Sequence, residues 1–270
     1  MQLKILLILL AIFFLTLACS SADILNMIAS ATPTPTAAPT HTSTPQPTPT
    51  PRETPKLDVL PTNTSPPGET EAPYSITIEE DGWQKYQNFE YRFSLNLPPE
   101  WEILDLTVDD LKALLNEMVN NNPAMESYFT SEYLNNLVSA GIKLIAIDAS
   151  VASLSSGSTS NLNVLVADLL FEITLVDYIE VNVAQIKSVL GEELEVNEEI
   201  VMIGELEAGK ITYNAEITDI FGNPQQVEYR QYLILDGRTQ YVLTFTAGMD
   251  KVQADAPIFD QITDSFTLTD

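Results

Sequence analysis

Apolar and polar residues alternate most strictly in Phe89-Glu90-Tyr91-Arg92-Phe93-Ser94-Leu95-Asn96-Leu97. The odd positions are apolar and the even ones polar or charged. Period two predicts a strand with one face on a core and the other toward water. Pro98-Pro99 ends it, because neither residue can donate to a ladder. Trp101 follows and is expected to cover the end of the sheet.

The period then changes. Thr107 is placed to cap a helix, with Asp109 and Asp110 in the favoured first turn and Leu111, Leu114, Leu115 and Met118 at helical spacing. Asn120-Asn121-Asn122-Pro123 breaks it. A second helix is expected over Ser131 to Ala140, with Leu134, Leu137 and Val138 inward and Gly141 as its stop. Ile142 to Ala149 reads as a strand, Leu154 to Ser160 as a Ser/Gly-rich loop, and Leu162 to Leu170 as an apolar central strand. Thr174 caps a third helix with Asp177 as its capping-box partner. Its inner face would be Leu175, Tyr178, Ile179, Ile186, Val189 and Leu190, and Gly191 ends it.

The last third alternates again. Strands are expected at Leu194 to Ile203, along Ile211, Tyr213, Ala215 and Ile217, at Gln225 to Leu235, and along Tyr241, Leu243 and Phe245. Turns fall at Glu207-Ala208-Gly209, at Phe221 to Pro224, and at Asp236-Gly237, where glycine accepts the positive φ of a tight hairpin. Pro257 suits the first turn of a final helix carrying Phe259, Ile262 and Phe266 on one face. Strands joined by short turns make a mainly antiparallel sheet, and helices must cover its apolar faces. The expectation is one layered α+β domain over residues 74–270, without internal repeats.

Phe89 to Phe93, then Leu97-Pro98-Pro99-Glu100-Trp101, resembles the opening strand, proline and tryptophan of PsbP-like domains. The close of the chain is similar too: Gln231-Tyr232, Asp236-Gly237, Tyr241 to Thr246, and Phe259 to Phe266. The group includes the photosystem II protein PsbP, Mog-type Ran-binding proteins and DcrB-like bacterial lipoproteins. The resemblance covers most of residues 83–270. It implies an α/β/α sandwich over an antiparallel sheet and a non-enzymatic docking role. The stretch from about 107 to 160 is longer than compact members carry. Because members bind unrelated partners, the fold passes on no particular one.

The first 73 residues follow another logic. Lys4, an uncharged run from Ile5 to Leu17 and the small Ala18 form a secretory signal over residues 1–18. The run is shorter than the roughly 20 apolar residues a membrane span needs. Leu15-Thr16-Leu17-Ala18-Cys19 resembles the lipobox of bacterial lipoproteins, with Thr16 where an aliphatic residue is usual. The resemblance implies a diacylglycerol on Cys19, which becomes the acylated N-terminus on the extracytoplasmic face of the cell membrane. Two or more acyl chains, palmitate among the common ones, anchor stably where one is marginal. An ordinary cleaved signal with an accidental cysteine is one alternative, and a transmembrane helix is the weaker one, because Ser20-Ser21 and Asp23 follow at once.

Twelve of the 17 prolines lie between Pro33 and Pro73, many alternating with threonine. Proline fixes φ and removes a donor, so neither helix nor sheet is expected there. Residues 19–73 therefore read as the lipidated cysteine and a disordered Thr/Pro-rich tether, extended by up to ~3.1 Å per residue. His41, the only histidine, lies within it, far from any folded site. Leu60-Pro61-Thr62-Asn63-Thr64 lacks the glycine of a sortase motif.

Composition narrows the function. The net charge of −26 disfavours nucleic acid and anionic lipid as partners and leaves basic partners open. Cys19 being the sole cysteine excludes a disulfide, a thiol nucleophile and a cysteine metal cluster in the domain. Ser155-Ser156-Gly157-Ser158 is not a nucleophile elbow, and with no histidine in the domain a serine would need a lysine as its base. Paired carboxylates are plentiful and say little about glycosidase chemistry. Glu192, Glu193, Glu195, Glu198 and Glu199 form an acidic run that suits solvated charge first and Ca2+ second, since no calcium-loop motif is present. No phosphate loop is found, because Gly204 and Gly209 stand alone. Trp83, Tyr86, Trp101 and Tyr128 read as core or edge packing before a partner groove.

The expected function is a lipid-anchored module docking to an envelope protein, with no catalytic residue, cofactor or metal assigned. The alternatives are a small-ligand-binding lipoprotein, with its pocket between sheet and helices, and a carboxylate-based hydrolase.

Overall fold

The computed structural model describes residues 73–106, 136–156, 159–218 and 224–269, with positions 116 and 120. The signal segment, Cys19, the tether up to residue 72, the helix expected after Thr107, Tyr128, most of the helix expected over 131–140 and the turn at 221–223 lie outside them.

Among the described residues the order is β1 (Tyr74–Ile78), β2 (Gln84–Asn88), β3 (Phe93–Leu97), β4 (Trp101–Asp105), β5 (Ile142–Asp148), α1 (Val151–Ser156), β6 (Asn161–Asp168), α2 (Leu175–Leu190), β7 (Val196–Ile203), β8 (Leu206–Thr218), β9 (Pro224–Asp236), β10 (Thr239–Gly248), α3 (Val252–Asp264) and β11 (Thr267–Leu268). These form a four-stranded sheet, β1-β2-β3-β11, and a seven-stranded sheet, β4-β5-β6-β10-β9-β8-β7. Every pairing is antiparallel. The α+β class and the antiparallel sheet agree with the expectation, but the strands divide between two sheets.

The large sheet has a core on each face. Tyr178 and Ile179 of α2 pack on one face with Ile211, Tyr213, Tyr229, Leu233, Val242 and Leu165. On the other, Phe259 and Ile262 of α3 and Phe93, Leu95 and Leu97 of the small sheet meet Leu162, Val164, Tyr232, Leu243 and Phe245. Helix α2, large sheet, then α3 with the small sheet make the layers of the sandwich.

Several boundaries move for physical reasons. The strand read from Phe89 begins at Phe93; residues 89–92 are the turn joining β2 to β3, with Arg92 at φ 51° and Phe89 exposed. The Asn88 carboxamide holds that turn by accepting the Tyr91 N–H at 2.8 Å. Trp101 opens β4 instead of capping a sheet end, and its ring meets Phe259 edge-on at 6.4 Å. The loop read from Leu154 is partly α1. The turn between β7 and β8 falls at Gly204-Glu205, so Gly209 lies inside a strand. The hairpin loop of β9 and β10 is Gly237-Arg238, one residue later than read, with Gly237 at φ 60°. Helix α3 starts at Val252, which places Pro257 past its first turn.

Local signals match closely elsewhere. The Thr174 hydroxyl accepts the Asp177 N–H at 3.1 Å and donates to its carboxylate at 2.6 Å. Gly191 ends α2 at φ 117°, and Gly141 takes φ 93° after the helical residues 136–139. On α2, however, Val189 is exposed, and the polar Asn182 joins Tyr178 and Ile179 as its buried face.

Candidate functional site

Among the described residues four places have chemical content, and the sequence had pointed to residues in two of them.

The acidic run lies on the outer edge of the large sheet. Glu192, Glu193 and Glu195 are in the link from α2 to β7, and Glu198 and Glu199 are in β7 itself. Successive strand residues face opposite ways, so Glu198 and Glu199 cannot converge on one ion. Among the described residues no group of three potential ligands gathers for a metal. Glu199 instead meets Lys210 on β8 at 2.7 Å, and this hydrogen bond and charge hold its carboxyl below the usual range. Among the described residues β7 pairs with β8 alone, which leaves its other backbone edge open. Ile200 and Met202 on this strand are 49% and 61% exposed.

The side chains of Ser155, Ser156 and Ser158 lie outside the described residues, and a serine–lysine pair forms instead at Ser153, which the sequence did not single out. Lys251, just before α3, donates to the Ser153 hydroxyl at 2.9 Å. Ser153 in turn donates to the Asp148 carboxylate, whose second oxygen accepts the Ser150 N–H at 3.0 Å. Ser153 is buried. With its proton committed to a carboxylate and its lone pair to an ammonium, it is a link between β5, α1 and α3 and not an activated nucleophile. Ser160 does the same work by donating to Asp255 in the first turn of α3. Beside this network an open cleft of about 560 Å³ is lined by Gln84, Glu100, Trp101, Glu102 and Ser150 among others.

The aromatic candidates divide. Tyr86 and Trp101 are core residues, Trp83 is half-buried, and Tyr128 lies outside the described residues. Tyr86 donates to the buried Asp105, and Asn88 donates to the Tyr86 oxygen at 2.9 Å and to Asp105 at 3.3 Å. Burial, then the Asp105 charge, pushes the Tyr86 phenol well above its ordinary range. This triad ties the small sheet to β4.

The fourth place has no counterpart in the sequence reading. Two neighbouring rungs cross the middle of the large sheet on the α2 face. One is Ile145–Asn163–Thr244–Gln231–Ile211, and the next is Ile147–Asn161–Thr246–Tyr229–Tyr213. On the opposite face the same strands present Leu162, Val164, Leu243, Phe245 and Tyr232. Gln231, Thr244 and Thr246 are 1%, 6% and 8% exposed, while Asn161 and Asn163 are half-buried. Gln231 Nε2 donates to Thr244 Oγ1 at 3.3 Å, but among the described residues Gln231 Oε1 and the Tyr213 hydroxyl have no partner. Asn182 Oδ1 on α2 and Gln240 Nε2 on β10 are likewise unpaired. Burial alone raises the Tyr213 phenol far above its usual value. The signal that could have found this place is the alternation Asn161-Leu162-Asn163-Val164, which is polar on a face that the fold covers.

The sequence matches no protein-family model and no curated protein. Three solved structures are similar to it at TM-scores below 0.5. Cyanobacterial PsbP (CyanoP) from Synechocystis has 13% identity, a TM-score of 0.44, and coverage of 76% of this chain and 98% of its own. LpqN, involved in cell envelope biogenesis of Mycobacterium tuberculosis, has 12% identity, a TM-score of 0.42, and coverage of 74% and 88%. The Ran-binding protein Mog1p of Saccharomyces cerevisiae has 11% identity, a TM-score of 0.41, and coverage of 70% and 96%.

Proposed function

We propose that this chain is an extracytoplasmic lipoprotein, anchored through Cys19 and held off the membrane by residues 20–73, whose folded domain docks without catalysis onto an envelope protein. The observation that carries the docking is the open edge of β7 among the described residues, where exposed Ile200 and Met202 follow Glu192, Glu193, Glu195 and Glu198 along the chain. An unpaired strand edge recruits another strand through main-chain hydrogen bonds, and side-chain patterning selects which strand. The apolar pair and the surrounding carboxylates suit an extended basic segment carrying two apolar residues. Acidic charge also steers such a partner toward the domain.

The test is affinity capture from solubilised envelope with the full-length protein, comparing wild type with an Ile200→Ser, Met202→Ser double variant. One stoichiometric partner retained by wild type, released by salt and lost with the variant supports docking at β7. Equal retention by both proteins overturns the assignment to this edge. Self-association of the purified protein, abolished by the same variant, would mean that β7 receives a second copy instead.

A further inference from the structure

We infer that the two polar rungs on the α2 face form a binding site for an uncharged, hydroxyl-rich small molecule of the sugar or polyol class, reached from the Asn161 and Asn163 side. This goes beyond the docking reading and does not depend on it.

The first argument is cost. A buried polar atom without a partner costs about 1–3 kcal/mol, and an apolar residue of the same shape would avoid that penalty. Gln231 Oε1 and the Tyr213 hydroxyl are both in this state, and their residues are diagonal neighbours on one face of β8 and β9. Val or Leu at position 231 would extend the apolar surface already formed by Leu233 and Val242. The glutamine instead sits opposite Thr244, which sits opposite Asn163. Adjacent cross-strand side chains are about 5 Å apart, so these groups form a continuous hydrogen-bonding floor.

The second argument is chemical type. On the five central strands β5, β6, β10, β9 and β8, neither rung contains Asp, Glu, Lys or Arg; carboxylates appear on these rungs only at the edges, Glu198 on β7 and Glu102 on β4. In a chain of charge −26, a floor of amides and hydroxyls selects against ions of either sign. Each carboxamide both donates and accepts, as does each hydroxyl. That matches a ligand whose hydroxyls do both. The half-buried asparagines, each between a buried isoleucine (Ile145 or Ile147) and a buried threonine (Thr244 or Thr246), are where solvent reaches the rungs, and burial deepens from them toward Gln231 and Tyr213.

The experiment is ligand-observed saturation-transfer NMR on the full-length protein. The probes are an uncharged set (maltose, sucrose, myo-inositol, sorbitol) and a charged set (glucuronate, glucosamine), each at millimolar concentration. At least one uncharged probe should receive saturation, more strongly than either charged one. A Gln231→Leu, Thr244→Val variant should weaken that probe by about tenfold or more, the equivalent of losing one to two hydrogen bonds. Its melting temperature should not fall, because an unpaired polar atom has been removed. Saturation of none of the uncharged probes, binding that the variant leaves unchanged, or equal binding of the charged set would each overturn the inference. Loss of binding accompanied by a fall in melting temperature would also overturn it, since the rungs would then be structural.

Discussion

Gly209 leaves room for Ile179. A Cβ at position 209 would stand 2.6 Å from the Cδ1 of that isoleucine, which presses α2 onto β8. The glycine is absent from the positive-φ positions, so its value here is space and not conformation. Gly209→Ala should therefore destabilise the domain by about 1–3 kcal/mol through overpacking. Ile179→Ala alone should cost about 2–5 kcal/mol. The double variant should be more stable than the sum of the two losses implies, because the added methyl enters the emptied space. Urea unfolding of all four proteins measures the coupling; strict additivity would refute the contact.

Alkali should unfold this domain through its tyrosines. Burial raises the phenols of Tyr86 and Tyr213, and Asp105 raises Tyr86 further. A folded-state value above the unfolded one means that the stabilising contribution is complete below about pH 10 and lost as pH rises beyond it. Absorbance at 295 nm should show that these two phenols stay protonated in the folded protein above pH 10 and ionise together with loss of structure. Tyr86→Phe leaves Asp105 without one donor and should cost about 1–3 kcal/mol at neutral pH.

Ser153 should be inert. Its hydroxyl lies between Asp148 and Lys251. A fluorophosphonate probe that labels activated serines should give no adduct at this residue in the folded protein. Lys251→Met should lower stability by about 1–3 kcal/mol by removing a donor from a buried hydroxyl. Stoichiometric labelling of Ser153 would contradict the structural role assigned to it.

Cys19→Ser should move the full-length protein from the membrane to the soluble fraction and abolish incorporation of labelled fatty acid. Lipidation supplies the membrane affinity in this reading, and no helix among the described residues is long and apolar enough to cross a bilayer. A serine variant that still carries label and still sediments with membranes would show that Cys19 is not the anchor.

The features legible in the sequence were those fixed within a few residues. The Thr174 cap, the Gly191 stop and the glycine-bearing hairpin after Asp236 depend on neighbours one to four positions away. The alternation at Phe89 to Arg92 misled because turn residues alternate by coincidence, and what holds them in a turn is the carboxamide of Asn88. β1 and β2 escaped notice because Gln84-Lys85-Tyr86-Gln87-Asn88 is mostly polar; its buried Asn88 is satisfied by partners in the triad with Asp105, 17 residues away. The polar rungs escaped for a similar reason. Gln231, Thr244 and Asn163 each look like solvent-facing strand positions, and only the strand order β6-β10-β9 makes them neighbours on a covered face.

The position of β1 has a mechanical consequence. Among the described residues it is the outermost strand of the small sheet, bonded to β2 alone, and Tyr74 at its start is opposite Asn88. Tension applied through the residues before Pro73 enters the domain at that point. The Tyr74–Asn88 rung is the first of the five β1–β2 rungs that it reaches. Giving way there releases about 3.3 Å of chain per residue while the seven-stranded sheet stays intact. In the proposed anchored protein the small sheet therefore stands between the tether and the seven-stranded sheet, as the first part of the fold that a load on the tether reaches.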